Sequence, residues 1–388
     1  MPGMNRTYYE FFAGGGMARL GLGSGWTCLL ANDFSDKKAQ VYRENFGDGE
    51  FKLKDVHELT SRDMPGAPHL AWASFPCQDL SLAGNRAGLS GERSGAFWGF
   101  WSAIHKLKVE GRAPPVLVLE NVTGTLTSNG GADFLEICRA LAAFNYYFGA
   151  VIVDAIHFLP QSRPRLFIVC VDDSRKLPVA AAMDGPSKTW HPLSIQNAAK
   201  SLPTYLATKW RWWKLPQPKA RAAQLADVLE QDNDRLVWHA DEVTQNLLGM
   251  MSDANLAKIA SARKSQKFSV GAIYKRTRTE RGVRLQRAEV RFDGVAGCLR
   301  TPGGGSSRQT IIVVEKKQTR TRLLTVREAA RLMGVPDAYC VPMNYNDGYH
   351  VFGDGLAVPA VQFIKDNLLD LLGYETVARN STSILAAE

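Results

Sequence analysis

The sequence predicts an α/β fold: a doubly wound sheet with a smaller, mixed module let into it. Three observations carry that expectation. Short apolar runs alternate with helical patterns from Thr7 to Asp172, as strand–helix–strand units require. The first run ends in a glycine turn, Ala13-Gly14-Gly15-Gly16, that feeds a helix. The alternation then breaks around Pro178 to Pro192, and a basic segment intervenes before helical patterns resume at Thr325.

Taken in order, Thr7 to Phe12 is a β-rich opening, and the turn after it has the spacing Phe12-x-Gly14-x-Gly16. Glycines there permit a tight strand-to-helix turn and close approach of a ligand to the backbone. The third glycine of the dinucleotide fingerprint is missing, Arg19 standing in its place, which disfavours a nicotinamide dehydrogenase. Cys28 to Phe34 is the second strand, and Asp33 at its end is placed to accept hydrogen bonds from ribose hydroxyls. Lys54-Asp55-Val56 follows a third short element, where Asp55 reads either as a ligand contact or as a helix cap.

His69 to Ala73 is a buried strand, and Ser74-Phe75-Pro76-Cys77-Gln78 follows it. Proline lacks an N–H and stops the ladder, so Cys77 arrives at the carboxyl end of a strand, where open α/β sheets bind ligands. A lone cysteine is more often structural. Here it has company. Val116 to Leu119 is a second apolar run that delivers Glu120-Asn121-Val122, and Gln161-Ser162-Arg163-Pro164-Arg165 precedes a third, Leu166 to Val171. A nucleophile, an acid and two guanidiniums thus come from separate sheet connections. Ala83 to Gly95, rich in glycine and serine, reads as a lid-like loop. Phe97, Phe100, Trp101, Ile104 and Leu107 form the core stripe of a helix; Phe134 to Phe144 is another helix and Gly149 to Ala155 another strand.

The 388 residues suffice for more than one core, and no apolar run is long enough to cross a bilayer. Six cysteines at 28, 77, 138, 170, 298 and 340 include no C-x-x-C pair, which argues against structural zinc and a disulfide framework and suits a reducing cytosol. Charge is uneven. Between 186 and 318 stand 23 Lys and Arg against 11 Asp and Glu, so this segment carries +12 of a whole-chain +9. A basic module in a mildly acidic body points to a polyanion, or else to a solvated lysine-rich surface. Lys264, Lys267, Arg276 and Arg278 belong to its densest stretch, and Ser269–Tyr274 and Glu289–Phe292 look like strands carrying that charge. Cys298 to Gln309, with Arg300, Gly304 and Arg308, is loop-like; Thr325 to Pro336 is a capped helix ended by Gly334 and Pro336.

Jointly these motifs resemble the bacterial-type DNA (cytosine-5) methyltransferase family, over roughly 1–172 and 320–365. The resemblance implies a doubly wound, Rossmann-like S-adenosylmethionine-dependent methyltransferase sheet with a smaller, mixed target-recognition domain. It places the catalytic domain at 1–185, the target-recognition domain at 186–318, and a C-terminal return at 319–388. It implies Cys77 as nucleophile on C6 of a flipped-out cytosine, Glu120 on N3 and the exocyclic amine, Arg163 on the base carbonyl, and Arg165 orienting neighbouring groups. For S-adenosylmethionine it implies Phe12, Ala13, Gly14, Gly15, Gly16, Asp33 (ribose), Phe34 (adenine), Asp55, Val56, Pro76, Asp354 and Gly355. The family has Asn where this chain has Asp354 and more often Glu where it has Asp33. For DNA it implies Gln78, Ser81, Arg93, Arg300, Gly304 and Arg308 beside the four basic residues above.

Two other readings stay open: a transfer-RNA cytosine methyltransferase on the same scaffold, and a catalytically silent DNA-binding regulator. The expected partner is double-stranded DNA, with a cognate restriction endonuclease as a further candidate. No metal or membrane is expected, a monomer on DNA is, and the expected location is the cytoplasm, at the nucleoid.

Overall fold

The computed structural model describes residues 6–76, 95–231, 236–280, 282–301, 308–316 and 318–372. The body runs β1 (Arg6–Phe11), α1 (Met17–Leu22), β2 (Trp26–Asp33), α2 (Asp36–Phe46), β3 (Phe51–Leu53) and β4 (Leu70–Ser74). It continues with α3 (Ala96–Val109), β5 (Val116–Asn121), α4 (Ala132–Ala143), β6 (Tyr146–Asp154) and β7 (Pro164–Asp172). These strands make one seven-stranded sheet in the order β3-β2-β1-β4-β5-β7-β6. Neighbours pair parallel except that β7 runs antiparallel to β5 and β6. From β1 the chain winds outward to β2 and β3, then returns to β4 on the other side. That reversal opens a crevice at the carboxyl ends of β1 and β4.

Alternation along β4 shows why both faces are covered. Leu70 and Trp72 join a cluster with Leu22, Val361 and Ile364. Ala71 and Ala73 join the opposite cluster with Phe97, Phe100, Ile104 and Leu107. The first face is thus closed by the chain's C-terminal return.

After the sheet come β8 (Ala182–Met183), α5 (Leu193–Lys200), α6 (Thr204–Ala207) and β9 (Trp212–Trp213), then α7 (Asp241–Gly249) and α8 (Asp253–Ser265). β10 (Ser269–Glu280), β11 (Val283–Arg291), β12 (Thr310–Glu315) and β13 (Gln318–Leu323) form a separate antiparallel sheet in the order β11-β10-β12-β13. Val290, Ile312 and Val314 pack with Ile259 of α8 in a small core of their own. α9 (Val326–Leu332), α10 (Tyr345–Asp354) and α11 (Val358–Ile364) lead back to the body.

Packing moves both expected boundaries of the inserted module. Residues 187–215 belong to the body: Ile152 N–H donates to the Trp190 carbonyl (2.9 Å), Arg211 N–H to the Phe148 carbonyl (2.8 Å), and Trp213 Nε1 to the Val169 carbonyl (3.0 Å). The cause is β6, an edge strand whose free backbone groups and apolar side chains this segment covers. At the other end β13 pairs with β12 along its length, so the antiparallel sheet extends past 318 to Leu323.

A buried ion pair joins the two sheets' connections. Arg322 on β13 donates twice to Glu328 on α9, at 2.6 Å each, with side chains 2% and 0% exposed. Glu328 also accepts the N–H groups of Thr325 and Glu230, both at 2.8 Å. Glu328→Ala strands a buried guanidinium, and the expected loss of stability is about 3–5 kcal/mol. Denaturant unfolding checks it; a midpoint near wild type would show that water reaches Arg322.

Candidate active site

The crevice is built from the ends of β1, β2, β4 and β5. Phe12 turns through the left-handed region, φ 58°, a conformation that non-glycine residues adopt at a cost and that recurs at functional turns. At Gly15 a Cβ would lie 2.8 Å from both Tyr339 Oη and Val351 Cγ1, so only glycine lets α10 close over the turn. The turn opens on a cavity of about 380 Å³ walled by Glu10, Phe12, Gly14, Gly15, Asp33, Phe34, Pro76, Glu120, Asp354 and Gly355, among others.

Asp33 accepts the N–H of Gly14 on one oxygen and of Ser35 on the other, both at 2.9 Å, leaving each oxygen a further lone pair. Phe34 keeps 68% of its surface exposed at the cavity wall, a flat apolar face suited to stacking. Ala13 and Gly16 shape the turn without lining the cavity. Asp55 and Val56 stand apart from it. Asp55 caps a single 3₁₀ turn through the His57 N–H (2.9 Å), and Val56 is buried at α3, where a Cβ on Gly99 would meet its Cγ1 at 2.5 Å.

Glu120, the last but one residue of β5, lies opposite Ser74 of β4 and Phe167 of β7. It is buried, which pushes its carboxyl above the ordinary carboxylate range; Arg165, Arg163 and a Ser74 hydrogen bond pull the other way. Arg165 Nε lies 3.4 Å from Glu120 Oε1. Next to it, Asn121 Nδ2 donates to the Phe75 carbonyl at 3.0 Å and pins the turn that leads to Pro76. Cys77, Gln78, Ser81, Arg93 and Gly304 lie outside the described residues.

Arg163 is engaged with the protein's own backbone. Its guanidinium is wholly buried and donates to the carbonyls of Leu299 (2.9 Å), Gly353 (2.7 Å) and Gly355 (2.7 Å). Burial, then Arg165, lowers its pKa to about 10. In this structure it clamps two loops together. A Cβ on Gly353 would lie 2.9 Å from the backbone of Arg300 and Thr301, so the loops meet closely where Arg163 holds them. Arg165 takes the facing position, since it lines both this cavity and a larger one.

That second cavity, about 980 Å³, lies between the two sheets and is walled by Arg165, Lys275, Arg276, Thr277, Gln286, Arg291, Cys298, Arg300 and Arg308, among others. Of the four basic residues singled out in the sequence, only Arg276 lines it. Arg278 pairs with Glu289 at 2.6 Å, while Lys264 and Lys267 are exposed at the end of α8 and just beyond it. Sequence reasoning also passed over Glu10, Lys38, Asn121 and Cys298. Burial, against the pull of Arg19, pushes Glu10 up to about 8, and one of its oxygens has no partner. Burial raises the Cys298 thiol, but Arg163 and Arg165 outweigh it and its pKa falls below the ordinary value. The signal available for Glu10 was its place near a strand end before a glycine turn, and for Asn121 its place beside Glu120; Lys38 and Cys298 had none. Among the described residues no cluster of His, Cys, Asp and Glu could hold a metal ion, and no helix is long and apolar enough to cross a membrane.

The doubly wound sheet, with its glycine turn and cavity at the carboxyl ends of β1 and β4, is Rossmann-like. The C-5 cytosine-specific DNA methylase model matches residues 7–370, and the chain belongs to that family of DNA cytosine-5 methyltransferases. It is 25% identical over 370 residues to Type II methyltransferase M.HhaI of Haemophilus parahaemolyticus, covering 95% of each chain. To Type II methyltransferase M.HpaII of Haemophilus parainfluenzae it is 25% identical over 387 residues, covering 95% of this chain and 90% of the other. In fold it is similar to the crystal structure of S. pombe Dnmt2 methyltransferase, with a TM-score of 0.60 at 17% identity over 95% of this chain and 99% of that one.

Proposed function

We propose that the protein methylates C5 of a cytosine flipped out of a specific double-stranded DNA sequence, using S-adenosylmethionine and a covalent bond from Cys77 to C6. The observation that carries this reading is Arg165 beside buried Glu120 on the wall shared by the two cavities: one cavity suits a nucleoside cofactor, the other a polyanion.

The residues present fit the cofactor. Asp33 has lone pairs for a ribose diol, Phe34 a face for adenine, and Glu10 an unpartnered carboxyl oxygen whose ionised form a cation would favour. When bound, S-adenosylmethionine supplies an electrophilic sulfonium methyl. The chain's own work is on the base. Cytosine C5 is a poor nucleophile while the ring is aromatic, and addition of the Cys77 thiolate to C6 makes it enamine-like. Glu120, whose burial favours the protonated form, gives N3 its hydrogen and accepts one from the exocyclic amine. Arg165 offsets the charge that grows on the ring. Once C5 is substituted, loss of its proton and of Cys77 restores aromaticity. A duplex hides these atoms, hence the flipping.

The antiparallel sheet with α7 and α8 serves as the target-recognition domain, and the cationic wall of the larger cavity receives the phosphates. Lys275, Arg276, Thr277 and Gln286 of the β10–β11 hairpin, which line that cavity, are the residues that meet base edges in this reading. A cytoplasmic monomer acting on DNA, with or without a cognate restriction endonuclease, completes the reading. The test is transfer of tritium from labelled S-adenosylmethionine. Label is expected in acid-stable 5-methylcytosine of duplex DNA; label in transfer RNA alone, or in neither, would overturn the proposal.

A further inference from the structure

We infer that Lys38 and Asp354 form the subsite for the zwitterionic amino-acid end of the cofactor, their mutual ion pair giving way to pairs with the ligand's carboxylate and ammonium. The inference rests on reading the glycine-turn cavity as the S-adenosylmethionine site.

Lys38 stands in the first turn of α2, just after Asp33 and Phe34. A Cβ placed on Gly14 would lie 4.0 Å from its Cδ, so the lysine stem crosses the glycine turn. Asp354 ends α10 on the opposite wall, and its Oδ2 is 3.0 Å from Lys38 Nζ. Both residues line the cavity. The side chains are 23% and 47% exposed, so water already reaches the pair and partners can be exchanged without stranding a buried charge. Nor is the pair needed to join its two helices. Lys37 and Asp347 link α2 to α10 at 2.6 Å, and neither lines the cavity.

Charge assigns the ligand. Of the lysines and arginines lining the cavity, Arg165 faces Glu120, which leaves Lys38 for a ligand carboxylate. An α-amino acid carries both signs on one carbon, and Lys38 with Asp354 presents both signs 3.0 Å apart. The asparagine usual in the family at 354 is neutral. The carboxylate here seeks an ammonium and brings Lys38 with it.

Two ligands isolate the effect. S-adenosylhomocysteine carries the amino-acid end; 5′-methylthioadenosine keeps the nucleoside and thioether but lacks it. Calorimetry on the full chain is expected to show Lys38→Met and Asp354→Ala each weakening S-adenosylhomocysteine about 10- to 100-fold, the range for a lost charge-assisted hydrogen bond. Affinity for 5′-methylthioadenosine is expected to stay at the wild-type value in both variants, and Lys37→Met to leave both ligands unchanged. The inference is overturned if Lys38→Met binds S-adenosylhomocysteine as wild type does. It is equally overturned if the two ligands weaken together, for the pair is then only a latch between helices. If the wild-type chain binds neither ligand, the reading of the cavity itself is wrong.

Discussion

Cys77→Ala is expected to lower methyl transfer by at least about four orders of magnitude, the scale on which enzymes lose rate when a covalent nucleophile is removed. Cofactor affinity stays near wild type, because the residues that wall the glycine-turn cavity are untouched. The described residues just before Cys77 support this expectation. Pro76, immediately before Cys77, lines the cavity that Glu120 also lines, and the Phe75 carbonyl is held by Asn121 from the neighbouring strand. A duplex carrying 5-fluorocytosine at the target is the sharper probe. Fluorine cannot leave C5 as a proton does, so the adduct persists, and a denaturant-resistant protein–DNA band should appear in wild type and vanish in Cys77→Ala. Turnover retained by the variant, or an adduct mapped to another residue, would remove the covalent mechanism.

What could be read in the sequence was what local pattern determines. Asp33 and Glu120 are each the polar end of an apolar run, and a strand end in a parallel sheet has one destination, the crevice. The glycine turn was legible for the same reason. Contacts closed by distant chain were not. Arg163 stands in a recognisable motif, yet its role is fixed by carbonyls at 299, 353 and 355, which no local pattern couples to it. The Lys38–Asp354 pair spans 316 positions. Tryptophans 190, 210 and 213 fall inside the expected target-recognition segment 186–318, but they pack against β6 and β7. The β10–β11 hairpin runs well past the expected 269–274 and 289–292. Its outer half is solvent-exposed, so no apolar alternation marks it, and cross-strand pairs such as Arg278–Glu289 support it instead.

Glu120→Gln separates the two things a buried carboxyl does here. The amide is nearly isosteric and can donate to N3, but it cannot transfer a proton, and a loss of about 10²- to 10⁴-fold in methylation is expected. The pH profile should change with it. On the proposed mechanism the protonated carboxyl is the competent form, so the wild-type rate is expected to fall on the alkaline side as Glu120 ionises; glutamine does not titrate, and that limb should disappear. Stability should move the other way. Burial raises the folded-state pKa of Glu120 above its unfolded value, so the folded chain binds the extra proton between the two values. Stability therefore falls as pH rises through that window, and above it the folded state carries the cost of a buried, ionised carboxylate. Glutamine carries no such charge. Glu120→Gln is expected to melt above wild type at neutral pH and level with it below about pH 4, where the unfolded carboxyl is itself protonated. Melting curves at several pH values, read beside the rates, check both halves. A variant that keeps the alkaline limb and most of its activity would move the proton on N3 to another group. One that loses activity and stability together at neutral pH would make Glu120 a structural partner of Arg165.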